Sequence, residues 1–282
     1  MLVHNRDKTL REPTNDSRVP HIGTYRRELP VNNERLYENA IDWEHLPYLH
    51  RSTFSRIECL AAGTWGFRGR VWQTVGEDRP PFIIELKLDR TCRRWITKTL
   101  DGPGCGSEVW THAFPMGARR TDIVVDFFVP RVSAERAAAL RESYTKLYAR
   151  LYDEDVWMMT VRQERLDQAK AGRAPADIPR LALGSLAQLR QRLPITLSLG
   201  GRSFRLIEVD GQLIAHAVVC PHLLGPLEDA KVRNGVVECP WHGYRFDVIT
   251  GNCVSGGRCA LAPAPTVRVD AAQDVFLESK RL

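Results

Sequence analysis

Two short stretches, CPHLLG at 220–225 and CPWHG at 239–243, pair thiols with imidazoles. Their spacing is Cys-x-His, sixteen intervening residues, then Cys-x-x-His. Each arm therefore delivers one thiolate and one imidazole. A [2Fe–2S] centre with two Cys on one iron and two His on the other needs that mixed set from two loops. A zinc knuckle draws on the same ligand types, but zinc arms more often carry one ligand kind each. The prolines, Gly225 and Gly243 suit two tight loops whose backbone N–H groups face cluster sulfurs.

A second constellation lies in ENAIDWEHLPYLH, residues 38–50. On a continuous helix Glu38, Asp42 and His45 fall at i, i+4 and i+7 and share one face. Asp42 can accept a hydrogen bond from the His45 imidazole and fix which nitrogen faces a metal. His50 follows five residues later, an awkward helical step. Pro47 removes a backbone hydrogen bond and distorts that turn, letting the two imidazoles converge.

Non-haem iron(II) sites use two His and one carboxylate, so a third ligand is required. Farther along, Leu140, Tyr144, Leu147, Tyr148, Leu151 and Met158 form an apolar stripe at helical spacing. Asp155 falls inside that stripe, where a carboxylate is costly unless paired or metal-bound. Glu154 sits nearer the edge and Asp153 points away. Taken singly, the histidines read as ordinary structural residues and Asp155 as a partner of Arg162. A redox cluster in the same chain favours the metal reading.

These residues need elements to hold them. Residues 1–33, with Pro13, Pro20 and Pro30, read as an N-terminal arm or extended lead-in. The expected units are a sheet-and-helix domain over 34–170, a linker with a short helix over 171–192, and an all-β domain over 193–282. Strand-like segments between 54 and 130 precede one long helix from the N-cap Ser133 to about Lys170. AGRAPADIPR (171–180) marks the boundary. Asp210–Gly211 and Asn234–Gly235 are hairpin turns in the second domain. The fold class is α+β.

The chain has 282 residues, 43 % apolar and 26 % charged, ordinary for a soluble protein of two domains. The polar N-terminus carries no apolar signal core, which places the expectation in the cytoplasm, and no apolar run suggests a membrane span. Net charge is +6, with basic residues interspersed among acids and not banded as for nucleic acid. Seven cysteines do not suggest a disulfide framework. Cys253 and Cys259 pair or stay free, and a reducing compartment favours free thiols.

Residues 190–282 resemble a Rieske domain. The resemblance implies that Cys220 and Cys239 hold one iron and His222 and His242 the other. Respiratory Rieske proteins carry a disulfide-forming Cys where this chain has Gly225 and Trp241, so the loops look like the ferredoxin and oxygenase type. Residues 38–50 match E-N-x-x-D-x-x-H-x-x-x-x-H, the mononuclear iron pattern of Rieske non-haem iron oxygenases, and EDVWMMTVRQ (154–163) is similar to that family's later helix. Carried over, His45, His50 and Asp155 bind Fe(II), and Asp42 bridges that site to a Rieske histidine. The strands and long helix resemble the START-like helix-grip fold of polyketide cyclases. The order is reversed, since the family's Rieske domain comes first.

The resemblance implies an oxygenase that uses O2 on a hydrophobic, aromatic or polycyclic small molecule, by hydroxylation or demethylation. Trp65, Phe67, Trp72, Trp110, Phe114, Phe127 and Met159 are candidates to line its pocket, although most suit sheet packing. GPGCGS (102–107) does not match G-x-G-x-x-G, so NAD(P)H electrons require a separate reductase, with or without a ferredoxin. A homotrimer is the family's usual assembly. The alternative is a Rieske electron carrier whose first domain binds a hydrophobic ligand without chemistry.

Overall fold

In the computed structural model, residues 19–74, 79–171 and 180–278 are described. The first domain runs β1 (His21–Leu29), α1 (Asn33–Ile41), α2 (Leu46–Leu49), β2 (Phe54–Gly63), β3 (Gly66–Gln73), β4 (Phe82–Asp89), β5 (Arg94–Asp101), β6 (Glu108–Gly117), β7 (Arg120–Phe128) and α3 (Ala134–Lys170). Its seven strands form one antiparallel sheet in the order β1-β7-β6-β5-β4-β3-β2. Along β7 the residues alternate: Thr121, Ile123, Val125 and Phe127 are buried while their neighbours are not. That period of two gives the sheet one apolar face. Against it lies α3, 37 residues long, capped by Ser133 accepting the Arg136 backbone N–H. This is a helix-grip arrangement.

Aromatic rings fill the space between sheet and helix. Phe127 stacks on Tyr144 at 5.0 Å and lies 5.2 Å from Tyr148. Leu29, Leu36, Trp95, Ile123, Tyr152 and Met159 complete that core. Phe67, Phe127 and Met159 are thus core residues, whereas Trp65 and Phe114 are exposed. Trp72 and Trp110 lie beneath the guanidinium groups of Arg56 and Arg94.

Two expectations change. Residues 21–29, assigned to an arm, form the edge strand β1, paired with β7 from His21↔Phe128 to Leu29↔Thr121. Ile22 and Leu29 are buried, and Arg26 and Arg27 are held by Asp122 and Asp153. Residues 1–18 of that arm lie outside the described residues. The helical pattern expected to carry Glu38, Asp42 and His45 on one face breaks before Pro47: α1 ends at Ile41, Asp42 takes an extended conformation (φ −82°, ψ 91°), and α2 begins after His45 with Pro47 in its first turn. Pro47 therefore starts a helix, where its missing N–H costs nothing.

The second domain follows with β8 (Arg180–Ser185), α4 (Leu186–Arg190), β9 (Ile195–Leu199), β10 (Arg202–Val209), β11 (Gln212–Ala217), β12 (Val232–Arg233), β13 (Val236–Glu238), β14 (Arg245–Asp247), β15 (Thr266–Val269) and β16 (Asp274–Glu278). They make three three-stranded sheets, β11-β10-β9, β12-β13-β14 and β15-β16-β8. β8 falls in the stretch read as linker, yet it pairs with β16. Residues 172–179, most of AGRAPADIPR, lie outside the described residues. Both hairpin turns carry positive φ at their two central residues, 49° and 77° at Asp210–Gly211 and 50° and 72° at Asn234–Gly235. No helix among the described residues is long and apolar enough to cross a membrane.

Candidate metal centres

The break after α1 sets up the first site. Released from the helix, residues 42–45 form a turn that points Asp42 and His45 to different partners. His45, His50 and Asp155 are all buried and offer ligand atoms within 4.8 Å of one another. Asp155 Oδ1 lies 3.1 Å from His50 Nε2 and 3.6 Å from His45 Nε2. The two imidazoles meet nearly edge-on, centroids 5.0 Å apart.

Two of the three candidate ligands, His50 and Asp155, are held by a hydrogen bond with a neighbour. His50 Nδ1–H donates to Glu154 Oε2 at 2.6 Å, which leaves Nε2 free to face Asp155. Asn39 Nδ2 donates to Asp155 Oδ1 at 2.9 Å. Burial disfavours charge on both His50 and Asp155, but each stabilises the other: the His50 pKa lies above its ordinary value and the Asp155 pKa below its own. Two imidazoles and a carboxylate converging in a buried space form the donor set of a 2-His-1-carboxylate iron(II) site. The residues fit that group.

The second site sits where the loops of β11–β12 and β13–β14 meet. Cys220 and Cys239 are buried side by side, and a hydrogen bond from the Cys220 thiol favours the thiolate of Cys239, holding its pKa below the ordinary value. A bound metal needs that thiolate form. The His222 and His242 rings lie 4.7 Å apart, and both Nδ1 atoms are buried without a hydrogen-bond partner. Orphaned buried nitrogens beside two thiols are what ligands of a mixed cluster look like before the metal is counted. Gly225 leaves the needed room, since a Cβ there would stand 2.6 Å from Cys239 Sγ. These residues fit a [2Fe–2S] group with Cys₂ and His₂ ligation.

The two sites adjoin. His242 Nε2–H donates to Asp42 Oδ2 at 2.7 Å, and the same oxygen is 3.5 Å from His45 Nδ1. Burial would raise the Asp42 pKa, but its histidine partners hold the carboxylate well below its usual range. Burial likewise pulls His242 down; Asp42 and Cys239 outweigh it and push its pKa up to about 9. Glu44, on the same turn, accepts from Tyr244 OH at 3.3 Å and lies 4.0 Å from His222 Nε2.

All eight residues singled out in the sequence therefore lie in two adjoining clusters. Arg162, the alternative partner for Asp155, instead donates to Glu38. Four further residues carry the arrangement: Glu154, Asn39, Glu44 and Arg165. The position of Glu154 at the edge of the α3 stripe was a signal for the first. Arg165 gave none, because the groups it donates to, the Leu224 and Gly225 carbonyls and the Glu228 carboxylate, belong to the other domain.

Comparison with known proteins bears on the second domain. Residues 180–266 match the model of the Rieske [2Fe-2S] domain, and this part of the chain is a Rieske domain. The chain is 29 % identical over 109 residues to the oxygenase component of dicamba O-demethylase from Stenotrophomonas maltophilia, covering 39 % of this chain and 23 % of that protein. It is 32 % identical over 60 residues to a ferredoxin component of naphthalene 1,2-dioxygenase/salicylate 5-hydroxylase systems from a Ralstonia species, covering 21 % and 58 %. Both matches span less than two thirds of the relative. Among solved structures, a START superfamily protein from Mycobacterium smegmatis aligns with 50 % of this chain and 99 % of its own, at a TM-score of 0.41 and 16 % identity.

Proposed function

We propose that the protein is a Rieske-type oxygenase that oxidises a hydrophobic small molecule with O2, by hydroxylation or demethylation. What supports this is the juxtaposition of His45, His50 and Asp155, buried within 4.8 Å of one another, with the Rieske-domain His242 held by Asp42 at 2.7 Å. Iron(II) bound by those three residues would supply oxygen activation, with electrons from NAD(P)H arriving by a separate reductase, with or without a ferredoxin, and the [2Fe–2S] cluster.

The chain's own residues do the rest. Glu154 holds His50 in the tautomer that frees Nε2, and Asn39 fixes the Asp155 carboxylate. Asp42 holds His242 and faces His45, so one side chain links both centres. Burial of all three ligands keeps bulk water from the reacting space.

The second reading is an electron carrier with a non-catalytic first domain. The ferredoxin component among the relatives favours it. A carrier has no use for two imidazoles and a carboxylate that must be desolvated together.

The test supplies the holoprotein with reductase, NADH, O2 and a panel of aromatic hydrocarbons and methyl ethers, and follows ¹⁸O from labelled dioxygen into ring- or side-chain-hydroxylated product, with formaldehyde release scored for the ethers. Incorporation by wild type, lost in His45→Ala with the cluster absorption spectrum unchanged, is the expected result. Equal turnover by His45→Ala would overturn the proposal.

A further inference from the structure

Two thiols outside the cluster ligands stand on facing stretches of chain. Cys253 and Cys259 are free and half-buried, and both pack against the core that holds Cys220, Cys239 and Trp241. They flank the turn at 254–258, where Gly256 has φ 92° and lets the chain reverse. On the far side of the pair, Asn252 bridges Ala260 in antiparallel fashion, and Leu261 N–H donates to the Gly251 carbonyl at 2.8 Å. One step along that register, Cys253 stands opposite Cys259. Directly opposed residues of an antiparallel pair have Cα atoms about 4.5–5.5 Å apart, within the roughly 4.4–6.8 Å that a disulfide spans. The outer edge is pinned as well: Cys253 bridges Phe246 of β14, and Val254 N–H donates to the Arg245 carbonyl at 2.8 Å.

The two sulfurs differ. Ser255 Oγ lies 3.3 Å from Cys253 Sγ, and the backbone N–H groups of Ser255 and Gly257 and the Cys259 thiol also donate to that sulfur. Burial opposes the Cys253 thiolate, yet these donors hold its pKa below the ordinary value. Burial beside that thiolate raises the pKa of Cys259. A stabilised, partly accessible thiolate next to a second thiol is the arrangement that oxidants attack selectively. Gly257 keeps the turn tight, since a Cβ there would stand 2.6 Å from the Tyr244 ring and 3.1 Å from Cys253 Sγ. Tyr244 in turn stacks on His222 at 4.3 Å, so the pair lies one ring away from the first cluster loop.

We propose that Cys253 and Cys259 form a reversible dithiol–disulfide site, oxidised by hydrogen peroxide and separate from both candidate metal centres. The Cys253 thiolate attacks one peroxide oxygen; an S–O bond forms, the O–O bond breaks, and the departing hydroxide takes up the proton that Cys253 had released. Cys259 loses its proton as it attacks the Cys253 sulfur. The S–S bond forms, the S–O bond breaks, and the second hydroxide leaves with that proton as water. Two thiols are thus oxidised by two electrons while one peroxide is reduced to two waters. Glutathione reverses the step by thiol–disulfide exchange, leaving glutathione disulfide. The site does not depend on the proposed function.

The test treats holoprotein, its cluster intact, with equimolar hydrogen peroxide, blocks remaining thiols with N-ethylmaleimide and digests with trypsin. Cleavage after Arg245, Arg258 and Arg268 puts the two cysteines on separate peptides, 246–258 and 259–268, so a disulfide joins them in one mass. The joined mass should appear as maleimide label is lost from both cysteines, with cluster absorption unchanged, and should vanish after glutathione. Cys259→Ser should stop at the sulfenic acid, so that Cys253 takes up dimedone, whereas Cys253→Ser should give neither product. Label retained on both cysteines in wild type, or a joined mass that appears only as cluster absorption is lost, overturns the inference. The wild-type arm does not depend on the folding of either variant.

Discussion

The Asp42 carboxylate stands between two imidazoles from different domains, accepting from His242 Nε2 at 2.7 Å while facing His45 Nδ1 at 3.5 Å. Its position depends on α1 ending at Ile41, which turns residue 42 out of helical conformation. Asp42→Asn keeps the size and removes the charge. Turnover should fall about 10- to 100-fold, with iron and sulfide content unchanged. Steady-state O2 consumption beside metal analysis checks it; loss of metal in step with rate would show Asp42 to be merely structural.

Glu154 acts through His50. Its 2.6 Å hydrogen bond fixes the ring with Nε2 toward Asp155, where a metal held by the proposed site would bind. Glu154→Gln should weaken metal affinity by roughly 10- to 100-fold, with Glu154→Asp recovering part of it. Anaerobic Co(II) titration followed by its absorption bands measures this directly. An unchanged affinity in Glu154→Gln would remove Glu154 from the site.

Arg165 holds the cluster loop through two carbonyls and a carboxylate. Arg165→Ala leaves those acceptors without their partner, and at about 1–3 kcal/mol per unsatisfied group the second domain should lose cluster at lower urea concentration. Cluster absorbance against urea reports it. The same midpoint as wild type would mean that Trp157 and Met158 hold the contact alone.

Phe127 is fully buried between sheet and α3. Phe127→Ala should cost roughly 3–5 kcal/mol of stability, measured as a shift in the far-ultraviolet unfolding midpoint. Such a loss marks the sheet–helix space at that point as core. A neutral or stabilised variant would mean that the space is a ligand cavity.

The candidate site residues were more legible in the sequence than the elements that position them. Cluster loops announce themselves because Cys-x-His and Cys-x-x-His are local patterns, and Asp155 because one acid interrupts an apolar stripe. Ser133 and the two hairpin turns are local as well. β1 was hidden because Arg26, Arg27 and Glu28 make it look solvated, and their partners Asp122, Asp153 and Arg120 are distant in sequence. The end of α1 had no local signal strong enough to displace an unbroken helix, so the shared face of Glu38, Asp42 and His45 did not survive. Arg165 was unreadable for the same reason: what it touches is fixed only when two domains dock.

The most direct measurement is the iron and acid-labile sulfide content of protein purified anaerobically and supplied with Fe(II). About three irons and two sulfides per chain are expected, falling to about two irons with sulfide unchanged in His45→Ala. About two irons and two sulfides in wild type, the same in His45→Ala, would contradict the oxygenase reading and make the protein an electron carrier.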